Sequence, residues 1–221
     1  MRIIVTLVLT FAGMAYSFSE ARAGSSLFWL GVSLPYVFLV ALALHKMWEE
    51  GTLLDQLTPR WGDLSIGAPS MIVLLFASWA ARKILCPVGT PRQAWLFRIY
   101  LQLGNPEHLQ RSTAYTLLIL AICVAEEIVW RGMVLSELTQ RFGRRAALPL
   151  SALAYGFAVL PTLWLLRDPV AGFNPLFITA AVGCGLVWSF LASLVGRLPP
   201  VMISHMAFTY FTIVQFRLPG L

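Results

Sequence analysis

The sequence predicts an all-α fold, a polytopic transmembrane helical bundle of about seven to eight spans. Hydrophobic residues make up 58% of the 221 residues and charged residues only 12%, and the mean hydropathy is +0.76. Soluble domains average about 25% charged residues, so this composition is typical of an integral membrane protein. Segments of alternating apolar and polar residues, which membrane-spanning strands would need, are absent from the sequence, and helices are therefore the predicted spanning elements.

Seven apolar runs are long enough, or nearly so, to cross the hydrocarbon core of a bilayer, which takes about 20 helical residues. In chain order they are residues 3–18, 27–44, 69–85, 113–134, 146–166, 175–195 and 199–216. The third run, with 17 residues, is among the shortest and is the least secure. Two prolines, at 199 and 200, predict the start of the last helix, because proline is well tolerated in a first helical turn.

The segments outside these runs predict the domain organisation. Residues 46–67 are the most polar and acidic, which predicts an exposed connection. Residues 91–103 mix aromatic residues with arginines, as an interfacial amphipathic helix would, or equally a loop with aromatic anchors. No loop is long enough to fold alone, so residues 1–221 are predicted to form a single integral membrane domain, with N-terminal spans in 1–111 and a core in 112–216.

The amino-terminal run has two interpretations. Arg2, an apolar run and the sequence Ala21-Arg22-Ala23 resemble a secretory signal with its cleavage site. The charged residues Glu20 and Arg22 beside that site favour the alternative, a retained first span.

Charge and cysteine content exclude several functional classes. The net charge of +6 comes from basic residues scattered over loops, which does not predict a nucleic-acid partner. Lysine and arginine are nearly balanced between the two sides, so the positive-inside rule leaves the orientation open. The three cysteines are far apart and predict neither a disulfide framework nor a zinc site. A catalytic zinc needs about three protein ligands, and we therefore expect no metal and no cofactor.

The most informative feature is the segment from Glu126 to Gly132, Glu-Glu-Ile-Val-Trp-Arg-Gly. Its two carboxylates follow a long apolar run, and ionisable groups inside a membrane are costly and rare, so they indicate a functional site. On a helix, Glu127 and Arg131 stand four residues apart and can pair. Glu126 points about 100° away and is free to face a cavity, as a general base would.

The three histidines differ in their surroundings. His45 lies at the end of a span and His108 in a polar turn, so neither predicts a site. His205 lies within an apolar helix, where a helix–helix hydrogen bond is the ordinary explanation. Together with the intramembrane carboxylates, it is a candidate to donate to an oxyanion or to orient a water molecule.

These motifs resemble those of the CAAX protease and bacteriocin-processing (CPBP, or Abi) family of glutamic-type intramembrane endopeptidases. The resemblance covers roughly residues 112–216. It is carried by Glu126-Glu127-x-x-x-Arg131-Gly132, then by a helix containing Phe157, and finally by the helix containing His205. Two positions depart from the family pattern: Pro161 stands where the second-motif histidine is expected, and Thr209 replaces the third-motif asparagine.

The resemblance implies an intramembrane endopeptidase that hydrolyses a membrane-associated or lipid-modified polypeptide within a four-helix core. Glu126 would activate the water, Glu127 and Arg131 would hold the geometry, and His205 would stabilise the oxyanion. Thr209 and Phe157 would support the substrate or the oxyanion. The expected partners are that polypeptide and the lipid bilayer, in a bacterial cytoplasmic (inner) membrane.

The missing second-motif histidine leaves other functions open. One alternative is a non-proteolytic scaffold or chaperone for a membrane partner. Another alternative is a proton-coupled transporter. Many transporters contain two halves with similar sequences, and this sequence shows no such internal repeat. A further alternative assigns no activity to the motif: Glu127 and Arg131 would form an intramembrane ion pair with a purely structural role.

Overall fold

The computed structural model describes residues 1–215, and within them the protein is a helical bundle. Its helices are α1 (Arg2–Ser17), α2 (Ser26–Glu49), α3 (Leu53–Leu57), α4 (Asp63–Leu85), α5 (Gln93–Leu103), α6 (Pro106–Arg111), α7 (Thr113–Glu127), α8 (Leu135–Ala158), α9 (Thr162–Leu165), α10 (Leu176–Val195) and α11 (Pro199–Thr209). Two π-helical segments, π1 (Ile128–Val134) and π2 (Tyr210–Gln215), and a 3₁₀ turn (Glu20–Arg22) complete the described residues. The predicted all-α class is confirmed.

Three helices, α2, α4 and α10, are long and apolar enough to cross a membrane, and α1 is apolar but shorter. The predicted number of spans, about seven to eight, stays a prediction. The segment predicted at 69–85 is part of a longer helix of 23 residues. That helix starts at Asp63 because Gly62 adopts a left-handed backbone (φ +96°) that ends the preceding turn, and Pro69 is accommodated inside the helix.

The region predicted as two separate spans, 113–134 and 146–166, has a different course. Helix α7 continues without a break through π1 into α8, and the chain turns only at Gly143, where φ is +75°. After this break, α8 continues to Ala158. The short helix α9 follows, and the predicted end at residue 166 lies one residue beyond the end of α9. Charged residues lie on both sides of the segment predicted at 146–166, within residues 137–145 before it and at residues 167–168 after it.

The polar connection 46–67 is not uniformly exposed, contrary to the sequence-based expectation. Lys46 is almost fully buried and contacts Glu50 at 2.8 Å and Ser136 at 3.1 Å. Asp63 is also buried and forms an ion pair with Arg197. Lys46 and Asp63 thus both have a partner of opposite charge. Burial of either charge without one would be strongly unfavourable.

The two other uncertain segments are both helical. In the segment 91–103, for which a helix and a loop were equally expected, Gln93–Leu103 form α5. His108, predicted in a turn, lies in the short helix α6, with its ring 5.2 Å from that of Tyr115.

Packing within the bundle joins its two halves. Helix α1 packs on α2 and α8, helix α4 packs on α11, and α2 packs on π1. Helices α8 and α10 form the broadest helix pair, and α7 packs on α11. The segment with the two glutamates is consequently enclosed, and every residue from Glu126 to Leu135 is buried.

Candidate active site

The buried ion pair expected between Glu127 and Arg131 is present. Arg131 Nη1 lies 3.1 Å from Glu127 Oε1, and both side chains are shielded from solvent. Arg131 Nη2 also donates to the backbone oxygen of Gly185 at 3.2 Å. Its guanidinium lies 5.0 Å from the ring centroid of Tyr155 and 5.4 Å from that of Trp188, an arrangement that stabilises a cation. Arg131 thereby ties π1 to α8 and α10.

His205 reaches the same carboxylate from α11. Its Nδ1 is 2.7 Å from Glu127 Oε1, and its ring stacks on Trp188 with centroids 3.8 Å apart and an angle of 26° between the planes. Trp188 in turn donates from Nε1 to Ser204 Oγ at 3.2 Å. With Nδ1–H donated to Glu127, the other ring nitrogen faces Glu126: Nε2 lies 3.6 Å from Glu126 Oε2. One imidazole thus bridges the two glutamates.

Glu126 is held by a residue that the sequence motifs did not single out. The hydroxyl of Tyr155, on α8, donates to Glu126 Oε2 at 2.8 Å. Trp130 packs edge-on against the Tyr155 ring at 5.2 Å and donates from Nε1 to the hydroxyl of Tyr36 at 3.2 Å. The carboxylate therefore has a polar partner in a low-dielectric environment, where an unpartnered one would be strongly unfavourable.

The remaining predicted site residues are placed differently. Thr209 lies one helical turn beyond His205 and lines the same cavity. Phe157 does not reach the cluster: its ring is half-exposed and packs against Phe11 at 5.6 Å. It comes two residues after Tyr155 and so points about 200° away around the helix. Pro161 lies beyond the end of α8 and is the N-cap residue of α9.

Two residues of the site, Tyr155 and Trp188, were missed by the sequence analysis, and the signal for them is weak. Both lie in apolar helices and look like core aromatic residues in the sequence. Their polar atoms are the only clue, because a buried tyrosine hydroxyl or indole N–H normally has a hydrogen-bond partner. No fixed spacing relates either residue to the two glutamates.

A cavity of about 410 Å³ opens beside the cluster. His205, Tyr155 and Trp188 lie in its wall. The rest of the wall is mainly apolar and comes from α4, α5, α10 and α11 together with π2. Within residues 1–215, no three His, Cys, Asp or Glu side chains converge in the way that metal ligands would.

The net charge of the cluster is zero when both ring nitrogens of His205 carry a proton. The carboxylates of Glu126 and Glu127 then face two cations, Arg131 and the imidazolium. Such compensation is what a group of buried charges needs. In chemical terms, the arrangement provides a carboxylate that can accept a proton and, 3.6 Å away, a ring nitrogen that can donate one.

Comparison with known proteins gives one family similarity, which covers the stretch that contains these residues. Residues 109–211 match the family described as Rce1-like, type II CAAX prenyl endopeptidase Rce1-like. Neither the curated proteins nor the solved structures include a match to the chain. The matched residues contain both glutamates, Arg131, Tyr155 and His205. The resemblance predicted from the motifs is therefore confirmed: residues 109–211, just under half of the chain, are similar to the Rce1-like CAAX prenyl endopeptidases.

Proposed function

We propose that this protein is an intramembrane endopeptidase that hydrolyses a peptide bond near the end of a lipid-modified or membrane-associated polypeptide, with a water molecule activated by Glu126. The observation that carries the proposal is the position of Glu126, which is held by the Tyr155 hydroxyl and faces His205 Nε2 beside a mainly apolar cavity. The name of the matching family, a CAAX prenyl endopeptidase, supports the same activity and suggests a prenylated substrate.

In this mechanism Glu126 is the general base. It takes a proton from water as the water oxygen attacks the carbonyl carbon of the scissile bond, which gives a tetrahedral oxyanion. When the C–N bond breaks, the same proton passes from Glu126 to the departing amine. A positioned carboxylate of this kind contributes about 10²–10⁴-fold to the rate.

His205 is proposed to stabilise the oxyanion. Glu127 fixes the ring through Nδ1 at 2.7 Å, and Trp188 stacks on one face, so that Nε2 has a single direction. A preorganised donor in a site shielded from water is worth about 10²–10³ in rate. Thr209, one turn further along α11, adds a hydroxyl group to the same wall. Glu127 and Arg131 act through His205 and are positioning residues.

Tyr155 supports the enzyme over the scaffold alternative. The scaffold was suggested by Pro161, which stands where the family pattern has a histidine. In the structure a different residue of the same region, Tyr155, supplies a polar contact to Glu126. A hydroxyl can orient a carboxylate and a water molecule, which are two tasks of an imidazole at that place.

Substitution of the proposed base tests this function. Glu126→Gln is nearly isosteric but cannot accept the proton, so we expect it to abolish cleavage while the protein still folds. The assay uses purified protein in detergent and a peptide with an S-prenylated cysteine followed by three aliphatic residues, with products identified by mass spectrometry. Glu107→Gln is the matched control, because Glu107 is exposed on α6. Cleavage by Glu126→Gln at the wild-type rate, or no cleavage by the wild type, would refute the proposal.

A further inference from the structure

Helix α4 forms one wall of the cavity with a regular stripe of side chains. The stripe consists of Leu74, Ala77, Ser78, Ala81, Arg82 and Leu85. Its spacing of three and four residues places all six on one face of the helix. The alanines and the serine are small, which leaves space between α4 and α10. Within the described residues, Arg82 is the one lysine, arginine or acidic residue in the cavity wall.

The position of Arg82 follows from the way α4 packs on α11. Asp63, at the start of α4, pairs with Arg197, just before α11. One turn later, a β-carbon at Gly67 would lie 2.6 Å from the backbone oxygen of Pro200. Because both contacts join the starts of the two helices, α4 and α11 run parallel. The two contacts also fix the register of the helices. Each residue of α11 lies at the same height as the residue of α4 whose number is about 134 lower.

In this register His205 lies level with Met71, and Arg82 stands eleven residues further along α4. At 1.5 Å per residue, the two ends of the cavity are about 16 Å apart. Hydrogen bonds agree with this placement: Arg82 donates to the hydroxyl of Tyr100 at 3.1 Å, and Tyr100 donates to the backbone oxygen of Thr212 in π2 at 3.0 Å. The proposed chemistry and the cation thus lie at opposite ends of the cavity.

Arg82 retains hydrogen-bonding capacity and positive charge. A guanidinium has five N–H donors, and within residues 1–215 Arg82 donates to Tyr100 and forms no ion pair with an Asp or Glu. Its side chain is only half-buried. The planar group matches a carboxylate, to which it can donate two parallel hydrogen bonds. Such a cation at the end of an apolar cavity favours a ligand with an apolar body and an anionic end.

The geometry points to Arg82 as the residue that binds the carboxyl-terminal carboxylate of the polypeptide substrate, whose last residues lie along the cavity. This inference rests on the proposed function. An extended peptide advances about 3.3 Å per residue, and the arginine side chain leans back toward the start of its helix. A distance of about 16 Å therefore corresponds to roughly three to five residues between the scissile bond and the carboxylate. The protein would remove a short carboxyl-terminal peptide and disfavour longer ones.

The test compares two versions of the S-prenylated peptide, one with a free carboxyl terminus and one with a terminal carboxamide. We expect the wild type to prefer the acid in kcat/KM by roughly 10-fold to 100-fold, the usual range for a hydrogen bond to a charged group. Arg82→Gln should lose this preference through a higher KM for the acid and leave the amide unchanged. Lys83→Gln is the matched control, because Lys83 is exposed and lies outside the cavity wall. It should behave as the wild type does.

Binding provides a readout that does not need hydrolysis. Anisotropy of the labelled acid and amide peptides is measured with Glu126→Gln and with the double variant Glu126→Gln/Arg82→Gln. The inference is supported if only the first binds the acid more tightly than the amide. It is overturned if Arg82→Gln keeps the preference, or if it weakens both peptides equally, as a role in lipid contact or folding would. An absence of cleavage with the acid preference intact would reject the proposed hydrolysis and retain the carboxylate site.

Discussion

At the scale of single residues, Tyr155 contacts two charged residues of the site. Its hydroxyl donates to Glu126 at 2.8 Å, and its ring lies 5.0 Å from the guanidinium of Arg131. The first contact orients the proposed base, and the second stabilises the cation that holds Glu127. Because the two contacts use different parts of the side chain, they can be separated experimentally.

Tyr155→Phe removes the hydroxyl and keeps the ring. We expect kcat for the prenylated peptide to fall about 10-fold to 100-fold, since a hydrogen bond to a charged group is worth about 1.5–3 kcal/mol. KM should change little. The thermal unfolding temperature in detergent should fall, because Glu126 loses its hydroxyl partner, although the ring still packs on Arg131 and Trp130. Tyr115→Phe is the control, because Tyr115 lies on α7 and does not line the cavity that contains His205. An unchanged kcat in Tyr155→Phe would show that the hydroxyl does not assist Glu126.

The residues of this site differ in how visible they are in the sequence. Glu126, Glu127 and Arg131 stand out because charges are rare within apolar helices, and the spacing of four alone predicts the observed ion pair. His205 stands out for the same reason. Tyr155 does not, because its contact to Glu126 joins residues 29 positions apart through the packing of α8 on π1. Such a contact depends on tertiary structure, which helical periodicity does not encode.

At the scale of elements, α4 and α11 approach each other closely at Gly67. A β-carbon at Gly67 would lie 2.6 Å from the Pro200 oxygen and 3.0 Å from the Ile203 side chain. The first atom belongs to the backbone and cannot move aside as a flexible side chain would. Gly67 is thus required for this contact. At Gly183, in α10, a β-carbon would have no neighbour within 4 Å.

Alanine substitutions at these two glycines should therefore differ in their effect on stability. Gly67→Ala should destabilise the protein by about 1–3 kcal/mol, as overpacking does. Gly183→Ala should be neutral or stabilising by up to about 1 kcal/mol, because alanine favours a helix and meets no neighbour. Unfolding of both variants in detergent, by heat or denaturant, measures the difference. Equal stability of the two variants would mean that α4 does not pack tightly on α11.

Helix positions were more predictable than helix limits. Apolar runs located α2, α10 and the start of α11 within a few residues, since hydropathy marks the part of a helix that lipid or core can cover. The same signal placed the start of α4 six residues late, because Asp63, Ser65 and Gly67 are polar or small but still helical. It also placed a boundary at residue 134, where π1 continues into α8 without a break.

At the scale of the whole molecule, the two halves of the chain are joined by buried polar contacts. Trp130 donates to Tyr36, Lys46 donates to Ser136, and Arg197 pairs with Asp63. Each contact links the amino-terminal helices to the region that matches the endopeptidase family. The side chains of Arg197 and Asp63 are 12% and 5% exposed, so this ion pair is largely shielded from solvent. The contacts support the predicted single membrane domain, which stays a prediction.

The Asp63–Arg197 pair provides a measure of this coupling. Removal of one partner from a buried pair typically destabilises a protein by about 3–5 kcal/mol. We expect Asp63→Asn and Arg197→Gln each to have an effect of this size, and the double variant to lose clearly less than the sum. A cycle on the more exposed pair Arg2–Glu49 should give only about 0–1 kcal/mol of coupling. Additive losses at Asp63 and Arg197 would show that the halves are not coupled there.

The cavity has a consequence for how proteins of this kind diverge. Its proposed catalytic end lies on the matched stretch, residues 109–211, whereas two of its walls, α4 and α5, belong to sequence before that stretch. Mutations in α4 can therefore reshape the cavity without touching a carboxylate or His205. Two descendants of one ancestor could keep the same chemistry and accept different polypeptides. Inheritance of the motifs then carries information about the reaction, and the helices upstream of them record the choice of substrate.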